Sequence, residues 1–222
     1  MIDQLLQNRR YVREYDSTAD IPQSLVDALL QRTWKVTPSK NNFMPYTVHV
    51  VKDQKYKDLI YLNCASNEGR VDGIDNPLNK RYQQSLPNYA NILSCSYVLI
   101  FTMRLEDKPS PFQQRLIDNG HRYEAVDESL LNSLYSTASF ECGLFADTFS
   151  ALCLDHEIDV SFTGCFQRNL DTWKDIPFVT RKPIMIMTIG KGITYLDNQR
   201  ISQGWADKDL RPDYERIVNF VK

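Results

Sequence analysis

The chain has 222 residues, 42% hydrophobic and 24% charged, which is enough apolar material for one sizeable core and too much for a disordered chain. With 26 basic and 28 acidic residues the net charge is −2, so no general attraction to DNA, RNA or an anionic membrane is expected. No apolar run, Val98-Leu99-Ile100-Phe101 included, nears the roughly 20 residues of a spanning helix, and charges interrupt the N-terminus where a signal peptide needs apolar residues; a cytoplasmic protein is expected.

Leu5 and Leu6 open a short helical pattern that runs into Arg9, Arg10 and Arg13. A second helix is predicted to start near Ile21-Pro22, since proline is tolerated in a first turn. Leu25, Val26, Leu29 and Leu30 recur at helical spacing, and Pro38 forces a stop. Tyr46–Val51 is partly alternating and β-branched, and reads as a strand. Residues 66–91 are rich in Asn, Gly, Pro and Gln and read as mostly loop with some helix. Tyr97–Met103 is almost continuously apolar, as in a strand buried on both faces. Residues 104–127, with Lys108-Pro109-Ser110-Pro111, read as an excursion from the core, a kind of segment that often covers an active site. A long helix is predicted over 130–154, with Phe140, Leu144, Phe145, Phe149 and Leu152 as its apolar stripe. Ala138, Gly143 and Ala146 allow close helix packing, and the apolar surface is wide enough for a partner subunit as well as a core. Residues 184–189 form the third predicted strand. There is no internal repeat or low-complexity linker, so one domain is expected over 1–222.

Cys64, Cys95, Cys142, Cys153 and Cys165 are odd in number and contain no C-x-x-C pair, which suggests neither a disulfide framework nor a zinc site. His49, His121 and His156 are far apart, and no metal site is expected.

Two stretches carry polar chemistry. Arg9-Arg10-Tyr11-Val12-Arg13-Glu14-Tyr15 places three guanidinium groups at spacings that a helix would bring to one side. It reads either as a solvated basic patch or as a phosphate site, since a phosphate dianion takes converging guanidinium donors. Pro38-Ser39-Lys40-Asn41-Asn42-Phe43-Met44-Pro45-Tyr46 sits directly before a strand. It is either an ordinary helix-to-strand connection or a rigid loop that presents Ser39, Lys40 and Asn42 to a polar heterocycle.

Taken together and in this order, the two stretches resemble the nitroreductase family, in which R-R-S-x-R-x-F near the N-terminus precedes an isoleucine-proline helix and then P-S-x-x-N-x-Q-P-W. Further counterparts are Asn88-Tyr89-Ala90-Asn91 before the buried strand, Ala151–Asp155 at a helix end, Ser161-Phe162-Thr163-Gly164, Gly190-Lys191-Gly192, and Arg200. The chain departs from the pattern at Tyr11 (serine), Met44 (glutamine), Tyr46 (tryptophan), Asn91 (lysine) and Thr163 (glutamate).

The resemblance implies an α+β fold with a central, mostly antiparallel sheet flanked by helices, in an intertwined homodimer that binds FMN. It implies that Arg9, Arg10, Arg13 and Arg200 hold the phosphate, with Tyr11 and Lys191 nearby. Pro38, Ser39, Lys40 and Asn42 would contact the ring or ribityl chain, with Ser39 reaching across from the other subunit. Asn88 and Asn91 would face the pyrimidine, and the backbone at Thr163 and Gly164 would approach the hydride-accepting nitrogen. Phe112, His121 and Tyr123 are candidates for a cover, and His121 for a proton donor. The implied activity is ping-pong hydride transfer from NAD(P)H to a small acceptor such as a nitroaromatic or quinone, with the flavin rather than any side chain carrying the chemistry. Two other readings stay open: a specialised FMN enzyme (flavin reductase, dehalogenase or enoyl-type reductase), or a non-catalytic flavin-binding or regulatory module.

Overall fold

A computed structural model describes residues 9–65, 90–104, 111–120, 128–195 and 217–218. In chain order these form β1 (Val12–Tyr15), α1 (Gln23–Val36), a 3-10 turn (Lys40–Asn42), β2 (Tyr46–Val51), α2 (Gln54–Ala65), α3 (Ala90–Ser94) and β3 (Tyr97–Met103). Then come α4 (Pro111–Asp118), α5 (Glu128–Asp155), β4 (Asp159–Thr163), a second 3-10 turn (Leu170–Trp173), β5 (Pro183–Gly190) and β6 (Gly192–Tyr195).

The apolar runs end up where their composition requires. β2, β3, β5 and β4 make a four-stranded sheet in that order, every pair antiparallel. β3 and β5 are its central strands, and every residue of β3 is buried. The strand's two-residue period divides its side chains between two cores. Leu99 and Phe101 join α1 and α5 on one face; Val98 and Ile100 join Ile60, Ile92, Phe166 and Trp173 on the other. The fold is thus α+β with a central antiparallel sheet and helices on both faces.

α1 follows Pro22 and closes with the Thr37 N–H donating to the Thr33 carbonyl at 2.9 Å, before Pro38 can intrude. α5 buries Ala138, Cys142, Phe145, Ala146, Phe149 and Cys153, a stripe of helical period. Phe145 meets Tyr46 and Phe101 at ring separations of 5.8 Å each, and Phe149 stacks on Phe145 at 6.4 Å. Phe140 does not share that core. It lies about 200° round the helix from Ala138 and Cys142 and is 68% exposed.

Three strands go beyond those expected, and one of them replaces a helix. The helical pattern expected to run through Arg13 gives way to an extended chain at 12–15, because Val12 and Tyr15 are both buried and β6 supplies a hydrogen-bonding partner. β1 and β6 form a separate two-stranded antiparallel ribbon, so residues 184–189 are not the last strand. β4 covers 159–163, where the resemblance had placed only backbone amides. α4 lies inside the expected excursion.

Candidate functional site

Arg9, Arg10 and Tyr11 lead into β1 and Arg13 lies within it, a strand with a backbone ladder on one side only. Side chains supply the bonds missing on the other. Ser161 Oγ, on β4, accepts from the Val12 N–H at 2.7 Å and donates to the Val12 carbonyl at 3.2 Å. Asn91 Nδ2, on α3, donates to that carbonyl at 3.1 Å. At the far end Ser94 Oγ accepts from the Tyr15 N–H at 3.0 Å, and the Tyr15 hydroxyl lies 3.0 Å from both the Thr188 carbonyl and its Oγ1. Complete burial holds the Tyr15 phenol well above its ordinary pKa, so it stays a neutral donor.

The three arginines diverge onto three rings. Arg9 stands 4.7 Å over Phe162, Arg10 5.4 Å over Tyr195 and Arg13 5.3 Å over Tyr11. Arg9 also meets Asp147 of α5 at 2.7 Å, an exposed pair contributing at most about 1 kcal/mol. Arg13 Nε and Asn91 Oδ1 are buried without a hydrogen-bond partner among the described residues. Tyr11 ties these two residues together. Burial raises its phenol above the ordinary pKa, opposed by the neighbouring Arg13 guanidinium and by a hydrogen bond with the Asn91 side chain.

Thr163 closes β4, and its Oγ1 accepts from the Cys165 N–H at 3.1 Å. Arg168 donates to the Gly164 carbonyl at 3.2 Å and to the Tyr135 hydroxyl at 2.6 Å. Among the described residues, open space lies where a Gly164 Cβ would stand. Lys191 is engaged by Glu157, its ammonium 3.8 Å from the carboxylate and bonded to the carbonyl. The glycines beside it serve packing. A Cβ on Gly190 would stand 2.6 Å from the Tyr15 ring, and one on Gly192 would stand 2.8 Å from the Tyr195 hydroxyl.

The loop at 38–44 forms a second group. Ser39 Oγ donates to Glu141 Oε2 at 2.7 Å and accepts from the Met44 N–H at 2.8 Å; the Lys40 N–H donates to Glu141 Oε1 at 2.9 Å. Arg104 holds the other end through the Met44 carbonyl at 3.0 Å and the Phe43 carbonyl. Between these clamps Asn42 and Met44 adopt φ of 52° and 44°, in the left-handed region that costs a side chain about 1 kcal/mol or more. The Ser39 hydroxyl hydrogen therefore points inward, and toward a ligand this hydroxyl can only accept. A cleft of about 570 Å³ opens between Pro38, Ser39 and Lys40 and the Phe140–Leu144 side of α5. Another of about 460 Å³ lies beyond the loop, between Trp34, Met44 and Arg104.

Whole-chain comparison decides the architecture. A Staphylococcus epidermidis protein assigned as an NAD(P)H:FMN oxidoreductase superposes with a TM-score of 0.68, over 100% of this chain and 96% of its own, at 15% identity. An Exiguobacterium sibiricum protein assigned as a nitroreductase and solved with FMN gives 0.67, over 100% and 97%, at 15% identity. CLA-ER, an enone reductase of gut-bacterial fatty acid saturation metabolism, gives 0.61, over 100% and 98%, at 14% identity. The chain has a nitroreductase-like fold. No family model and no curated protein matches it by sequence.

In this nitroreductase-like chain, Tyr11, Arg13 and Asn91 come together at the β1–α3 contact. Arg9 and Arg10 flank them, and the Thr163-Gly164 turn follows at the end of β4. Pro38, Ser39, Lys40 and Asn42 stand apart. Among the described residues, the hydrogen bonds and ring contacts of the β1 group do not reach theirs, although both groups touch α5, at Asp147 and Glu141. Asn88, Arg200, His121, Tyr123 and the Phe112 side chain lie outside the described residues. No cluster of His, Cys, Asp or Glu among those described could hold a metal, and no described helix is long and apolar enough to cross a membrane. Sequence reasoning missed Glu141, Arg168 and the bridging role of Ser161. Glu141 had a visible signal, a lone carboxylate between Phe140 and Cys142.

Proposed function

We propose that the protein is an FMN-dependent oxidoreductase that takes hydride from NAD(P)H and delivers it to a small acceptor. The observation that carries this reading is a nitroreductase-like fold whose β1 group holds two buried, unpaired polar atoms, Arg13 Nε and Asn91 Oδ1. Each unpaired buried group costs about 1–3 kcal/mol. A ligand offering an acceptor to the guanidinium and a donor to the amide oxygen relieves both. A phosphorylated heterocycle with an imide edge offers such a pair, so the residues present fit FMN.

When bound, FMN supplies the two-electron relay between nicotinamide and acceptor. The chain's own residues bind and orient. Arg9, Arg10, Arg13 and Arg200 would take the phosphate, and Asn88 and Asn91 would face the pyrimidine edge, Asn91 offering its Oδ1 as an acceptor because its Nδ2 is held by Val12. The backbone at Thr163 and Gly164 would approach the ring, a reading supported by the open space at the Gly164 Cα. Pro38, Ser39, Lys40 and Asn42 would complete the site from a second copy. The separation of the two groups within one chain and the exposed Phe140 beside the 38–40 cleft support a homodimer.

The test is the visible spectrum of the purified protein with FMN, before and after anaerobic NADPH or NADH. Flavin bands that bleach on adding nicotinamide are expected; a protein that stays colourless after FMN is supplied refutes the reading. A specialised acceptor is the second reading, motivated by Met44 and Thr163 and by an enone reductase among the structural neighbours. A panel of a nitroaromatic, a quinone and an enone separates it from the first.

A further inference from the structure

We propose that Ser161 is a positioning residue for phosphate recognition, acting through the backbone of Val12; the inference rests on the FMN reading above. Ser161 is 2% exposed and spends both donor and acceptor on a single residue of β1. That residue lies between Tyr11 and Arg13. Its N–H and carbonyl set the direction in which the flanking side chains leave the strand, because successive side chains of an extended chain alternate. β4 offers β1 no backbone ladder, so this hydroxyl, helped by Asn91 at the carbonyl, performs the ladder's task at the arginine end.

The Tyr15 end of β1 has further anchors, Ser94 at the Tyr15 N–H and Thr188 at the Tyr15 hydroxyl, and the pairing with β6 runs along the strand from Val12 to Tyr15. Loss of the Ser161 hydroxyl therefore loosens the β4-facing edge of Val12, between Tyr11 and Arg13, while β6 and the Tyr15 anchors keep the strand in place. The consequence falls on the part of the ligand that the arginines meet, and riboflavin, which has the same ring and ribityl chain without the phosphate, isolates that part.

The experiment is a titration of the apoprotein with FMN and with riboflavin, followed by flavin fluorescence, for the parent chain, Ser161→Ala and Ser161→Thr. Ser161→Ala is expected to weaken FMN about tenfold, which is about 1.4 kcal/mol, and to leave riboflavin unchanged. Ser161→Thr, which keeps the hydroxyl, restores FMN affinity. Equal weakening of both flavins would show a merely structural role and overturn the proposal, as would unchanged FMN affinity in Ser161→Ala. A parent chain that does not prefer FMN to riboflavin overturns the phosphate reading itself, and the proposal with it. If Ser161→Ala does not fold, Ser161→Cys carries the same comparison, since a thiol is only a weak donor and acceptor.

Discussion

The Ser39 hydroxyl is bonded to the Glu141 carboxylate at 2.7 Å, across the space between a loop and the middle of a long helix. Glu141 is 2% exposed and has the Lys40 N–H as its second donor, so one buried carboxylate sets the path of the 39–44 loop. Glu141→Gln puts an amide donor where two donors already point in. It is expected to destabilise the fold by roughly 1–3 kcal/mol in urea unfolding. A change below about 0.5 kcal/mol, the usual range for surface substitutions, would show that the carboxylate does not hold the loop.

Arg13→Ala combined with Arg200→Ala should weaken FMN strongly. Each charged hydrogen bond is worth about 1.5–3 kcal/mol, or roughly tenfold to more than a hundredfold in the dissociation constant. Equilibrium dialysis with FMN gives the answer directly, and unchanged affinity in the double variant would remove the phosphate assignment.

The cysteines give a prediction with a defined sign in pH. Burial pushes the Cys95 thiol up to about 12 and raises Cys142 and Cys153 as well. In the unfolded chain these thiols ionise near about 8.5. From there up toward 12 the unfolded state has lost protons that the folded state keeps, so stability falls as pH rises through that window. His49 acts at the other side of neutrality. Burial lowers its pKa, so below its ordinary 6.5 the unfolded chain binds a proton more readily and stability falls as pH falls. Urea midpoints measured from pH 5 to 10 should form a dome. At pH 8 a thiol reagent should label Cys165, the exposed cysteine, ahead of the four buried ones. Equal labelling of all of them in the folded chain would contradict the burial.

Two phenylalanines of α5 should separate folding from assembly. Phe149→Ala empties a fully buried position and is expected to cost about 3–5 kcal/mol. Phe140→Asp, at a position 68% exposed, should cost little in the fold and shift sedimentation toward a monomer. A parent chain already monomeric at micromolar concentration would remove the dimer from the proposed function.

The central layer was readable in advance because its signals are local. Apolar runs at 97–103 and 184–189, the partly alternating 46–51, a proline-stopped α1 and the Phe145 and Phe149 positions of α5 need no knowledge of the rest of the chain. β1 and β6 were not readable. Each is four residues long, and each becomes a strand only because the other lies beside it, a distant pairing that no short window contains. The candidate site divides in the same way. Its residue types were visible in the arginine cluster and the serine-lysine-asparagine loop. The divergence of Arg9, Arg10 and Arg13 onto separate rings, and the inward turn of the Ser39 hydroxyl, depend on Phe162, Tyr195 and Glu141, which arrive from elsewhere in the chain.

The ribbon of β1 and β6 has a consequence for biosynthesis. Glu14 and Thr194 meet across 180 positions, so the arginine-bearing strand gains its partner only after that length of chain has been made. At about 5–20 residues per second that delay is on the order of ten seconds or more. A nascent chain truncated before residue 192 can build much of the central sheet's other contacts, yet it lacks the hairpin-like clasp that presents the guanidinium groups. Cofactor capture is therefore expected to follow the emergence of β6, and ribosome-bound intermediates stalled short of that point should retain no flavin.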